Sequence, residues 1–125
     1  MLKNYKELTV WQRAYQLCLG TYRLTAGFPK EEKYGLVSQI RRAAVSVPSN
    51  IAEGYGRKSV GEYIQSLHIA YASLCELETQ ILLAADLGFT DARRSGRLAA
   101  AIGDVERLLK ALIRSLEQKR SARER

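Results

Sequence analysis

The chain carries four runs of apolar residues at alternating three- and four-residue steps, separated by short breaks containing glycine or proline. Val10, Ala14, Leu17, Thr21 and Leu24 form the first stripe, and Trp11, Tyr15, Cys18 and Tyr22 form a second one beside it. Together they predict a broad-faced helix, capped by Thr9 and ended by Gly27-Phe28-Pro29. A second helix is expected to begin near Glu31 or Glu32, run through Val37, Ile40, Ala44, Val47 and Ile51, and close at Gly54-Tyr55-Gly56. Ser59 and Glu62 have the spacing of a capping box, and the stripe Tyr63, Leu67, Ala70, Leu74, Leu77, Ile81, Ala84 follows without error up to Gly88. Thr90 is the expected cap of a fourth helix with the stripe Leu98, Ile102, Val105, Leu109, Leu112, Leu116. No segment alternates with period two for long enough to form a strand. The fold class is therefore all-α, an antiparallel up-down-up-down four-helix bundle with a proline-kinked second helix. Residues 1–119 form a single domain, and residues 120–125 are expected to be a basic, frayed tail.

Pro48 interrupts an otherwise regular helical pattern. A proline inside a helix removes one backbone hydrogen bond and clashes with the carbonyl four residues back, at a cost of about 3 kcal/mol. Polar residues crowd around it. Gln39, Arg42, Ser46, Ser49, Asn50 and Glu53 recur at three- and four-residue steps, so they share one side of the rod. One expectation is an internal polar network of Gln39, Arg42, Ser46, Asn50 and Glu53 with Ser73 and Glu76 of the third helix, in which a carboxylate pairs with Arg42. A ligand-binding or subunit-contact role for the same strip is the alternative.

Composition narrows the class. The chain has 125 residues, 46% hydrophobic and 26% charged, which suits one globular domain. No apolar run reaches the roughly 18 residues that span a bilayer, and the N-terminus lacks the apolar core of a signal peptide, so a cytoplasmic location without membrane contact is expected. The two cysteines, Cys18 and Cys75, are expected to be buried reduced thiols. Net charge is +7 and unevenly placed. Residues 1–58 carry ten Lys/Arg against four Asp/Glu, residues 59–92 carry five acids and no Lys/Arg, and residues 93–125 again carry ten against four. Such a pattern sets basic segments beside an acidic one and leaves a net positive surface that attracts phosphate-rich partners.

Catalytic and metal-binding motifs are lacking. His68 is the sole histidine, and no nucleophile stands at a spacing that would make a triad with it. Glu76 and Glu78 diverge on a helix, and no Glu-x-x-His pair exists for a di-metal carboxylate site. Gly54-Tyr55-Gly56-Arg57-Lys58-Ser59 imitates a phosphate loop, but Arg57 stands where a glycine is needed and no strand precedes it. No enzyme activity, cofactor or metal is expected.

Tyr5-x-x-Leu8-x-Val10-Trp11, Phe28-Pro29-x-Glu31-x-x-Tyr34-Gly35-Leu36, the continuous run from Ser38 to Gly54, and Ala70-x-x-Ser73-Leu74-x-Glu76-Leu77-Glu78 together resemble the four-helix bundle family named after the intervening sequences of bacterial 23S ribosomal RNA genes. The resemblance covers about residues 5 to 90. Tyr5 stands where the family often has Phe, and Ala72 where Gly is common. The resemblance implies a bundle that assembles as a ring-like homopentamer. It also implies kinship with the accessory variability determinant protein of diversity-generating retroelements, a basic bundle that binds nucleic acid and a reverse transcriptase. It implies no catalysis.

Two functions fit these features. The first is a homo-oligomeric accessory protein that binds the backbone of RNA or DNA, with Arg41, Arg57, Lys58, Arg93, Arg94, Arg97, Arg107, Lys110 and Arg114 as candidate contacts. Few aromatics interleave with these cations, which disfavours base stacking and sequence readout. The second is a scaffold that binds a protein partner or merely itself, motivated by the aromatic surplus of Trp11, Tyr15, Tyr22 and Tyr71.

Overall fold

In a computed structural model of the chain, which describes residues 3–124, every long element is helical. The four helices are α1 (Thr9–Thr25), α2 (Leu36–Tyr55), α3 (Val60–Asp86) and α4 (Ala92–Glu124). Two single 3₁₀ turns, Tyr5–Glu7 and Lys30–Glu32, precede α1 and α2.

The helix boundaries correct several sequence expectations. Thr9 is the first residue of α1 and not its cap; Leu8 takes that place without a side-chain bond. The capping chemistry lies earlier, where Asn4 Oδ1 accepts from the Lys6 backbone N–H at 2.8 Å in the 3₁₀ turn. α2 begins at Leu36, because the backbone leaves helical geometry at Gly35 (φ −106°, ψ −112°). Glu32 still serves that helix from outside: its Oε1 accepts from the Leu36 N–H at 3.1 Å, meeting one of the donors that a helix start leaves free. Ser59 does cap α3, with Oγ accepting from the Glu62 N–H at 3.1 Å. The cap of α4 is Asp91, whose Oδ1 accepts from the Arg94 N–H at 2.8 Å. Thr90, one residue earlier, keeps a buried Oγ1 without a partner among the described residues.

α2 continues through Pro48, which is buried, and runs on to Tyr55. The helix closes within Gly54-Tyr55-Gly56 as expected: Tyr55 is its last residue and Gly56 its C-cap, with the Gly56 N–H donating to Ala52 O at 3.3 Å and Glu53 O at 3.1 Å, while Gly54 is buried in the last turn. α3 ends in a Schellman motif: Phe89 N–H donates to Ala84 O at 2.9 Å, and Gly88 N–H donates to Ala85 O at 3.0 Å. That motif needs a left-handed residue, and Gly88 (φ +81°) supplies it.

The core is a column of the predicted stripes. Val10, Ala14, Leu17 and Leu24 meet Val37, Ile40, Ala44, Val47 and Ile51, then Leu67, Ala70, Leu74, Leu77, Ile81 and Ala84, then Leu98, Ile102, Val105, Leu109 and Leu116. Ile113 joins them, whereas Leu112 is only half-buried. The second stripe of α1 turns to the edge: Tyr15 is 44% exposed and Tyr22 40%. Each helix packs against its neighbours in sequence, and α1 closes the ring against α4. Ser46 pairs with Ser73 while Gly54 meets Ser66, so α2 and α3 run in opposite directions. Tyr71 reaches Glu106 while Gly61 lies beside Arg120, and Arg13 reaches Asp104 while Gly20 lies beside Leu98, so α4 runs opposite to both α3 and α1.

The 33 residues of α4 span about 50 Å against about 26 Å for the 17 residues of α1. The stretch expected to fray is helical through Glu124 and exposed beyond Leu116, with Arg120 and Glu124 paired one turn apart at 3.3 Å. No described helix is long and apolar enough to cross a membrane.

Candidate functional site

Three members of the expected polar strip come together. Ser46 Oγ and Ser73 Oγ lie 2.8 Å apart across the α2–α3 seam. Asn50 Nδ2 donates to Ser46 O at 2.8 Å and to Ser46 Oγ at 2.9 Å. Asn50 thus bonds the carbonyl of Ser46, and not that of Ala44, which Pro48 leaves without its helical donor. The other members do not join. Gln39, Arg42 and Glu76 are exposed, and among the described residues no carboxylate pairs with Arg42. Glu53 is also exposed, and its carboxylate pairs instead with Arg57, one turn on. The physical reason is position. Ser46, Asn50 and Ser73 lie at the seam, whereas the longer side chains of Arg42 and Glu76 stand on its solvent side, where water solvates their charges.

The nine candidate cations divide into two groups. Four are tied to the fold. Arg41 Nε donates to Thr25 Oγ1 at 2.9 Å and Nη2 to the Tyr22 carbonyl at 3.3 Å, while its guanidinium lies 4.4 Å from the Tyr22 ring centre. It thereby ties α2 to the C-terminal turn of α1, where the Tyr22 carbonyl also accepts from the Ala26 N–H at 3.1 Å and a cation is favoured by the helix dipole. Arg57 lies between Glu53 and Glu62, the latter at 3.9 Å. Arg107 pairs with Asp104. Lys110 Nζ lies 3.2 Å from Glu106 and 5.4 Å from the Tyr71 ring. The hydrogen bond to Glu106 pushes the Lys110 ammonium above its ordinary pKa, with the Glu106 charge acting in the same direction. The Tyr71 phenol, which donates to Glu106 Oε2 at 3.3 Å, is raised as well, first by the neighbouring Cys75 thiol. The other five, Lys58, Arg93, Arg94, Arg97 and Arg114, are exposed, with no side-chain partner among the described residues.

The structure adds two cations that the charge pattern had not singled out. Arg13 and Arg23 of α1 line a cleft of about 510 Å³ against Arg94 and Arg97 of α4. The floor is Leu17, Gly20, Leu24, Leu98 and Ala101, and Gln16 and Asp104 complete the lining. A signal for it existed: Arg13, Gln16, Gly20 and Arg23 follow a 3-4-3 rhythm one register away from the apolar stripe, and Arg94, Arg97, Ala101 and Asp104 follow the same rhythm.

Among the described residues no cluster of His, Cys, Asp and Glu could hold a metal ion, and His68 is exposed. The two thiols depart from expectation: Cys75 is exposed and Cys18 half-buried, with burial pushing the Cys18 thiol above its ordinary pKa. Cys75 sits one residue past the buried Leu74 on α3, off the core stripe, which is why it reaches the surface.

A solved structure with the same fold is that of a protein of unknown function from the S23 ribosomal protein family of Bacteroides thetaiotaomicron VPI-5482, determined at 1.70 Å resolution. It superposes with a TM-score of 0.76 at 18% sequence identity, over 84% of this chain and 98% of that one. No curated protein matches the chain. The model of the 23S rRNA-intervening sequence protein family matches residues 6–111, from before α1 to the last turns of the α4 core, and the chain belongs to that family.

Proposed function

We propose that this protein is a non-enzymatic, homo-oligomeric accessory bundle that binds the phosphate backbone of RNA or DNA. The observation that carries this reading is the group of exposed arginines at the start of α4, Arg93, Arg94 and Arg97, beside Arg23 of α1, with no acidic side-chain partner among the described residues. Lys58 and Arg114 extend the positive surface elsewhere. Guanidinium groups held out in solvent release counterions from a phosphate backbone when they bind it, and this drives association without sequence preference. Polarisation titrations of short RNA and DNA test the reading. Affinity should fall steeply between about 50 and about 200 mM salt, and R93E/R94E should weaken binding to all sequences alike. Absence of binding at the lower salt ends it.

Self-association rests on a different observation. Tyr15, Leu19 and Tyr22 share one exposed face of α1, and Ile69, Leu82, Leu83 and Leu87 are exposed on α3 and at its end. Exposed apolar side chains grouped in this way support a contact with another subunit. Light scattering of the pure protein should give an oligomer, a pentamer by the family resemblance. If the oligomer forms and captures no nucleic acid, the protein is a scaffold for itself or a protein partner.

A further inference from the structure

We infer that the cleft between α1 and α4 is a binding site for one nucleoside phosphate unit, either free or within a strand. The strand form rests on the backbone-binding reading above; the free form does not.

The cleft is built from two facing stripes of equal spacing that run in reverse order. Arg13 meets Asp104 at 3.7 Å, and Gly20 lies beside Leu98, so Arg23 stands at the level of Arg94 and Gln16 at the level of Ala101. This arrangement polarises the cleft. Toward one end Arg23, Arg94 and Arg97 line the cleft with no acidic partner among the described residues; the nearby Asp91 uses an oxygen on the Arg94 backbone N–H. At the other end Asp104 is held between Arg13 and Arg107, and Gln16 offers an amide. Three unpaired guanidinium groups along one part of a cleft offer the donors that the oxygens of a phosphate accept.

Between the two ends the floor is apolar. Gly20 and Ala101 are the smallest residues in it, and a Cβ built at Gly20 would first meet Leu98 Cδ1 at 3.5 Å, so this glycine leaves open a space that any larger side chain would fill. A planar base can lie over Gly20, Ala101, Leu17 and Leu98 with its phosphate at the arginines and its polar edge toward Gln16 and Asp104. The volume, about 510 Å³, falls within the range of roughly 300–1,000 Å³ found for small-ligand sites. An acidic peptide helix fits less well: its carboxylates would be spread along its length, and one would fall against Asp104. Diffuse attraction to the whole basic surface would need neither the apolar floor nor Gly20.

The test titrates the full-length protein by calorimetry with AMP, GMP, inorganic phosphate, an acidic peptide and a short 5′-phosphorylated RNA. G20L fills the floor and leaves every charge in place, R97E reverses one cation, and A101L is a second floor variant should G20L fail to fold by circular dichroism. The expected result is nucleotide binding tighter than phosphate binding, weakened at least about tenfold by a floor variant and by R97E. Loss of nucleotide binding in these variants while wild type ignores RNA supports the site for free nucleotides and ends the backbone reading alone. RNA binding that the floor variants leave untouched, with no nucleotide binding, overturns the site and leaves the backbone reading standing. Nucleotides bound no tighter than phosphate, or a preference for the acidic peptide, also overturn it.

Discussion

Gly54 of α2 lies so close to Ser66 of α3 that a Cβ at position 54 would stand 2.8 Å from the Ser66 Cβ and 3.0 Å from Tyr63 Cδ1. The glycine is what allows the two backbones to approach, since no real side chain tolerates that distance. Gly54→Ala should therefore destabilise the bundle by about 1–3 kcal/mol through overpacking. The gain in helix propensity, up to about 1 kcal/mol, opposes this and does not cancel it. Urea unfolding followed by circular dichroism measures the balance; a variant more stable than wild type would show that the helices can part at no cost.

Gly88 is needed for a different reason. Nothing lies within 4 Å of a Cβ built there, but its φ is +81°. Substitution at this position is penalised by backbone conformation alone. Gly88→Ala should cost about 1–2 kcal/mol, and Gly88→Asn less, since asparagine enters the left-handed region more readily. Equal thermal midpoints for the two variants would count against this account.

The bonds of Asn50 require a donor. Asn50→Asp puts a carboxylate where Nδ2 meets Ser46 O at 2.8 Å and Ser46 Oγ at 2.9 Å. At neutral pH it should destabilise more than Asn50→Ala, which loses about 0.5–1.5 kcal/mol. Ser46→Ala and Ser73→Ala should each destabilise, and the double variant by less than their sum, because removing both hydroxyls leaves neither unpaired. A double-mutant cycle with zero coupling would mean that the 2.8 Å contact between the two hydroxyls contributes nothing.

Tyr63 gives the fold a pH dependence at the alkaline end. Burial, with the neighbouring Tyr55 adding to it, pushes the Tyr63 phenol from 10.0 up to about 12. The folded state then keeps a proton that the unfolded chain releases, so this contribution is complete below about pH 10 and is lost as pH rises toward 12. Tyr63→Phe cannot ionise. The stability of wild type relative to this variant should fall across that interval, as read from thermal melts at stepped pH. A constant difference would place the phenol in ordinary contact with water.

Periodicity made the four helices legible because every one of them hides a continuous stripe, and those stripes are the buried column of the structure. The ends were harder. Asp91 and Thr90 are both good capping residues, and which one caps depends on the path the chain takes out of the Gly88 turn. Gly54 resembles a terminator in sequence, and only the nearness of Ser66 reveals its packing role. The polar strip of α2 was legible as a strip, but its partners were not. Ser73 meets Ser46, whereas Glu53 finds Arg57 on its own side of the bundle. Among the cations, net charge could not separate Arg41, which serves Thr25 and Tyr22, from Arg97, which faces an open cleft. Arg13 and Arg23 were visible as a rhythm, but their facing partner lies some eighty residues away in the chain.

That separation shapes how the molecule assembles. The seam between α2 and α3 joins segments linked by a tight turn, whereas the seam between α1 and α4 brings together the two ends of the chain. Loop-closure entropy grows with the length of chain enclosed, so the first-to-last junction costs more entropy to close than the seam between α2 and α3. A molecule lodged there would act as a clasp, keeping the barrel of rods from unrolling.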